Sequence, residues 1–259
     1  MKIFLLFLLI LAYSKTPAQI DLTDSLSKYS YLIQAKDRSS TQATGFFVRY
    51  QHRLFFITAA HCLTGWDPFR FRSIENAPDT VYIRLSNDTS KLKYMPLPLA
   101  DVKKTARPFR EYEAPDVCVI EIKDPKKYNV NSVEQFFEEI RCDKARTIYV
   151  FGYPRGDGYN DYFRDRQQPF ASTATLREEY CVYAFRPETR VHDAVNYYTY
   201  MKDGTGPGLS GAPAYILTEN KHITFGGIYI GGGDQVVRTG MVVRPEHVIR
   251  TILSSIGKR

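Results

Sequence analysis

"TGFFVRYQHRLFFITAAHC", Thr44–Cys62, decides the fold class. Two apolar runs rich in aromatic and β-branched residues flank the pair Gln51-His52. That is a hairpin pattern, although Gln-His is not the strongest turn pair. The second run ends in two alanines, a histidine and a cysteine. Small residues there leave room around an imidazole, so His61 is either a general base or a histidine that closes a strand.

Working outward, the same texture continues. Thr80–Leu85 alternates apolar and polar residues. Asp116–Ile122 is nearly continuous in apolar residues, as expected of a strand buried on both sides or in a barrel wall. Ala145–Pro154, Asn196–Met201, Gly211–Leu217, Ile223–Gly232 and Thr239–Arg244 read as further strands. Helical signals are few. Val130–Ile140 is a possible short helix. In the last segment, Pro245 fits a first helical turn, and Val248, Ile249, Ile252, Leu253 and Ile256 recur at helical spacing to make one apolar face. Many short strands with one C-terminal helix indicate an all-β barrel or sandwich. Lys123–Asn129 has linker character.

The chain has 259 residues, 44% of them hydrophobic, ample for a sizeable core. Lys2 followed by the apolar Ile3–Ala12 reads as a secretory signal peptide, with Ala18 as the cleavage position. The alternative is an uncleaved anchor, against which the short apolar core argues. The expected division is 1–18 signal peptide, 19–128 first unit and 129–259 second unit. The mature chain is expected to be exported, periplasmic or secreted, with no stable membrane insertion. The net charge of +7 is scattered among acidic residues, as on a solvated mixed surface. No recognised nucleic-acid motif is present, so no nucleic-acid partner is expected. The four cysteines, Cys62, Cys118, Cys142 and Cys181, have no zinc-ligand spacing, and neither metal nor cofactor is expected.

"DGTGPGLSGAPAYI", Asp203–Ile216, is the second informative stretch. Gly204, Gly206 and Gly208 precede Leu209 and Ser210. Such a loop turns tightly and aims backbone N–H groups at one point, where an anion or an oxyanion can bind. Its other reading is a glycine-rich hairpin loop with an ordinary serine. As a phosphate loop it lacks Gly-Lys-Ser/Thr. A serine nucleophile needs a base within hydrogen-bond reach and a carboxylate to orient that base. Of the five histidines, only His61 closes a strongly apolar strand; His52, His192, His222 and His247 fall in polar stretches, turns or a first helical turn.

"FITAAHCL" resembles the histidine motif of the trypsin/chymotrypsin-like serine peptidases, and "GPGLSGAP" resembles their serine motif. "PDVCVIEI" is similar to their aspartate motif, "ATGFFV" to the Gly-x-Gly-Phe strand two strands before the histidine, and "VFGYP" to the Gly-Tyr-Pro turn of the bacterial members. The likeness runs from about Gly45 to the C-terminal helix. It implies two antiparallel six-stranded β-barrels with a cleft between them. It also implies His61, Asp116 and Ser210 as catalytic residues, the Gly208 and Ser210 amides as oxyanion hole, and Gly204, Thr205, Tyr229 and Gly231 as substrate-binding positions. A protein or peptide would be the substrate. Leu209 stands where trypsin-type enzymes carry the aspartate that pairs with a newly cut N-terminus, so that activation route is not expected. Cys62 lacks its usual disulfide partner. Cys118 reads as a small apolar filler, and Cys142 with Cys181 is the most available pair.

Two rivals remain at this stage. An α/β-hydrolase esterase would use Ser210, Asp234 and His247, but its serine sits on a strand-to-helix turn within βαβ units. A barrel that keeps the peptidase shape but only binds peptides or surfaces is the other.

Overall fold

The computed structural model describes residues 25–35, 42–64, 66–67, 72–73, 79–86, 93–99, 115–134, 147–154, 170–178, 180–182, 190–192, 196–201, 208–217, 223–232 and 239–257. The signal-peptide reading, Gly204, Thr205, Asp234, His222 and Cys142 lie outside them.

The hairpin forms as expected. Strand β1 (Ser30–Ala35) is followed by β2 (Gln42–Tyr50) and β3 (Arg53–Thr58). Gln51 and His52 both adopt positive φ, 47° and 63°, which gives the tight two-residue turn the twist its strands need. Both faces of the hairpin are buried. Phe47, Leu54 and Phe56 enter one core cluster, whereas Phe46, Val48, Phe55 and Ile57 enter another. Two-sided burial is why this stretch reads as a continuous apolar run rather than an alternating one.

A single turn, α1 (His61–Thr64), comes next. The short β4 (Trp66–Asp67) and β5 (Arg72–Ser73) pair with each other. Then come β6 (Thr80–Arg84), β7 (Tyr94–Pro98), β8 (Cys118–Glu121) and β9 (Ser132–Val133). The first sheet runs β7-β6-β1-β2-β3-β8, with β9 added in parallel to β2. Tyr94–Pro98 carries two prolines, which fits its place at the sheet edge, where an absent N–H leaves no ladder bond unmade. Strand β8 is half-buried along its length rather than buried on both sides as its apolar run suggested. Residues 132–133, expected as part of a helix, add to the first sheet instead.

The second half contains β10 (Thr147–Gly152), β11 (Phe170–Glu178), β12 (Tyr180–Val182), β13 (Arg190–His192), β14 (Asn196–Met201), β15 (Ala212–Leu217), β16 (Ile223–Gly232) and β17 (Thr239–Val243). Of these, β10-β11-β14-β17-β16-β15 close into a six-stranded antiparallel barrel, and β12 pairs with β13. The expectation of two closed six-stranded barrels is therefore met by this one. Among the described residues the first sheet has no pairing that joins β7 to β8, so its closure is not seen. Helix α2 (Pro245–Ile256) ends the fold. Its Val248 and Ile252 are buried, but Leu253, counted on the apolar face, is 46% exposed. Apart from the two-residue β9, every pairing among the described strands is antiparallel, and the βαβ units that the α/β-hydrolase reading requires are not among them. No helix among the described residues is long and apolar enough to cross a membrane.

One core cluster joins the halves. Phe46, Phe55, Ile57 and Val117 from the first sheet pack with Phe225, Ile228, Ile230 and Val243 from the barrel and with Val248 and Ile252 from α2. This shared core fixes the end of β3 against the turn that leads into β15, where the two long motifs lie.

Candidate active site

His61 is placed by the end of β3. Ala59 is fully buried, and its carbonyl accepts the Cys62 amide at 3.1 Å, while the Ala60 carbonyl accepts that of Leu63 at 3.0 Å. These bonds turn the chain sharply and lift the imidazole out of the sheet. Strand β8 pairs with β3, with Thr58 opposite Cys118. That register sets Asp116 beside the α1 turn, although 55 residues separate it from His61.

Asp116 holds His61 at two points. Its Oδ1 accepts the His61 backbone N–H at 2.9 Å, and its Oδ2 lies 2.5 Å from Nδ1. The carboxylate is 5% exposed. Because a carboxylate only accepts, the facing Nδ1 carries the proton, and in neutral His61 the lone pair is on Nε2. Burial pulls the His61 pKa down more than any other single influence. The electrostatic pull of Cys62 and Asp116, with their hydrogen bonds, outweighs it and holds the pKa well above the ordinary imidazole value.

Ser210 is placed by the first sheet as much as by its own barrel. The Thr44 backbone N–H donates to the Ser210 carbonyl at 3.0 Å. The Thr44 hydroxyl donates to the Gly208 carbonyl at 2.8 Å and accepts the Tyr153 amide at 2.9 Å. The Thr44 carbonyl in turn accepts the Thr58 hydroxyl at 2.7 Å. Thr44 is fully buried. It thus ties β2, β3, the turn after β10 and the serine loop together. Beyond its place next to Gly45, nothing in the sequence marks it.

Gly211 shows how close this approach is. Its φ is +89°, and a Cβ there would lie 1.9 Å from the Thr44 carbonyl and 2.2 Å from the Thr58 hydroxyl. Only glycine satisfies both the backbone angle and the contact. Its N–H donates to the Tyr229 carbonyl at 2.7 Å.

Leu209 is 1% exposed and packs with Ile148, Val150, Ala214, Tyr229 and Val242 in the barrel interior. The side chain before the serine is a core anchor here. Tyr229, expected at the substrate pocket, also turns its ring into this core and is 1% exposed. It meets the serine loop through its carbonyl instead. Gly231 lies in β16 with φ +125°, at a register shift between Tyr229 and Gly231. At this bulge the Ile230 carbonyl accepts the Ser210 hydroxyl at 3.4 Å.

The fold therefore brings His61, Asp116, Ser210 and Gly208 to one place between the two halves. It does not join Ser210 Oγ to His61. The neighbour of Nε2 is Cys62 Sγ, at 3.5 Å, and the same sulfur lies 3.7 Å from the Ser210 carbonyl. Cys62 and Cys118 are both free thiols. Cys118 packs against the first core, and burial, aided by nearby Asp116 and Cys62, pushes its pKa up to about 12, as befits an inert filler. Among the described residues no three metal-ligating side chains converge.

No protein-family model matches the chain, and no curated protein does. Solved structures do. The inactive form of Rv3671c from M. tuberculosis H37Rv, a serine-to-alanine mutant, is 15% identical, with 95% of this chain and 96% of that one covered and a TM-score of 0.53. The active form of the Rv3671c protease is 16% identical over 91% of this chain and 85% of that one, with a TM-score of 0.52. The HtrA-type protease AlgW with a tripeptide, also a serine-to-alanine form, is 9% identical, with 92% of this chain and 64% of that one covered and a TM-score of 0.56. The fold is that of the trypsin-like serine proteases. The likeness spans nearly the whole of this chain, both the first sheet and the closed barrel.

Proposed function

We propose that the protein is an exported serine endopeptidase that cleaves peptide bonds through an acyl-enzyme. The observation that carries this reading is the doubly held His61, its Nδ1 on a buried carboxylate, brought to the same place as a serine on a glycine turn.

In this reading Ser210 Oγ attacks the scissile carbonyl while His61 Nε2 takes its proton. The tetrahedral oxyanion is stabilised by the amides of Gly208 and Ser210, neither of which donates to another described residue. Asp116 keeps the imidazole in the required tautomer and offsets the charge of the imidazolium. His61 then returns the proton to the leaving amine, and water repeats the sequence to release the acid. With Leu209 in the barrel core, the loop is anchored by apolar packing rather than by an ion pair to a cut N-terminus.

A second reading has its own observation. The Ser210 hydroxyl is turned to the Ile230 carbonyl, as in a barrel that binds peptides without cutting them. An active-site phosphonate separates the two. Labelling of the wild type, lost in Ser210→Ala and His61→Ala with the fold intact by circular dichroism, supports the peptidase. No labelling of folded wild type supports the binding barrel. Asp116→Asn is expected to label about ten-thousandfold more slowly, since it presents the wrong tautomer rather than removing a reacting group.

A further inference from the structure

The described geometry leaves one nucleophilic group at the centre of the site without a role. Cys62 Sγ is 3.5 Å from His61 Nε2, within reach of a sulfur hydrogen bond. Nδ1 already faces Asp116, so Nε2 is the ring nitrogen open to the thiol. The single S–H has the Ser210 carbonyl as its other acceptor; when it turns to Nε2, or the thiol gives up its proton and accepts from Nε2–H, Nε2 is occupied. Ser210, meanwhile, spends its hydroxyl on the Ile230 carbonyl. The two facts are complementary, because one nitrogen lone pair cannot serve the thiol and the serine together.

Cys62 differs from Cys118 in this respect. Both are free thiols packed against the first core, but only Cys62 reaches the imidazole. It also spans the halves, because its sulfur lies 3.7 Å from the Ser210 carbonyl that Thr44 holds in place. The thiol is therefore fixed by the same clamp that sets the serine loop. A filler would need neither contact.

We propose that Cys62 is a positioning residue that holds His61 in a resting state, its thiol occupying Nε2 until Ser210 exchanges for it. This rests on the reading of His61 and Ser210 as base and nucleophile. Exchange requires only that the Ser210 hydroxyl leave Ile230 and that Sγ release Nε2, with no covalent change at sulfur.

The test uses the full chain and its Cys62→Ala and Cys62→Ser variants, with the rate of Ser210 labelling by an alkyl fluorophosphonate as readout. Cys62→Ala, which frees Nε2, is expected to label about fivefold faster. Cys62→Ser keeps a donor beside Nε2 and is expected to stay within about twofold of wild type. Equal rates in all three forms, or slower labelling of folded Cys62→Ala, overturn the proposal. A second measurement needs no cysteine variant. Alkylation of Cys62 by iodoacetamide at mildly acid pH, followed by peptide mapping, is expected to slow about tenfold in His61→Gln, because the imidazole no longer draws off the thiol proton. An unchanged rate overturns the contact itself. If the phosphonate labels none of the forms, the peptidase reading falls, and the alkylation rates still decide whether the thiol engages the imidazole.

Discussion

Thr44→Val removes one oxygen and little else. Valine has nearly the volume of threonine, so the buried packing around β2 is kept while the hydroxyl is lost. Two partners are stranded, the Gly208 carbonyl at 2.8 Å and the Tyr153 amide at 2.9 Å. Both belong to buried residues. Each stranded group costs about 1–3 kcal/mol, and valine regains about 1 kcal/mol by burying a methyl in place of a hydroxyl. The net loss is about 1–5 kcal/mol, large against a typical stability of about 5–15 kcal/mol yet small enough to leave a folded protein. Urea denaturation of wild type, Thr44→Val and Thr44→Ser measures it. Thr44→Ser keeps the hydroxyl and should lose only about 1 kcal/mol, from its missing methyl. The same bond anchors Gly208 at its carbonyl, beside the serine, so phosphonate labelling of Ser210 should slow by about tenfold or more in Thr44→Val. A valine variant within about 0.5 kcal/mol of wild type, or a serine variant as unstable as the valine one, would refute the clamp.

The raised His61 pKa sets the direction of the pH dependence. The base must be neutral to accept the serine proton, so activity falls as pH drops through that pKa, and the acid limb of kcat/KM should lie above the ordinary imidazole value of about 6.5. Cys62 and Asp116 are the neighbours responsible, and a limb at or below the ordinary value would contradict their arrangement. Gly211→Ala should cost more than about 2 kcal/mol in urea denaturation, since it meets both a left-handed backbone angle and the Thr44 carbonyl; a neutral effect would mean that the serine loop does not approach β2 this closely. Leu209→Asp buries an unpaired carboxylate among Ile148, Val150 and Val242 and should destabilise by more than about 3 kcal/mol. A stable Leu209→Asp variant would show that a cation is within its reach.

Much of the fold was legible because its signals are local. The hairpin from Thr44 to Thr58, the strands that build most of the barrel and the C-terminal helix each declare themselves through burial with a short period. Strand β1 was not recognised, because "SYLIQA" is short and carries polar residues at both ends. Strand β7 was hidden by its two prolines, which an edge position tolerates. Strand β9 was mistaken for part of a helix, since its pairing with β2 comes from a segment far away in sequence. Tyr229 shows the same limit at the site. Its place near the serine loop was foreseen, but strand alternation in the closed barrel turns its ring to the core.

The sequence by itself determined the strand-rich architecture, and the histidine and serine motifs whose chemistry it points to, since each lies within a few consecutive residues. It also showed that Cys62 had lost its usual partner and that an apolar residue precedes the serine. Only the tertiary structure decided what those residues touch. Asp116 reaches His61 through the register of β8 on β3. Thr44 clamps a loop 164 residues away. Leu209 closes the barrel core, and Cys62 stands at the nitrogen that Ser210 would need. These are contacts between distant segments in a shared core, and such contacts leave no periodicity for a sequence to display.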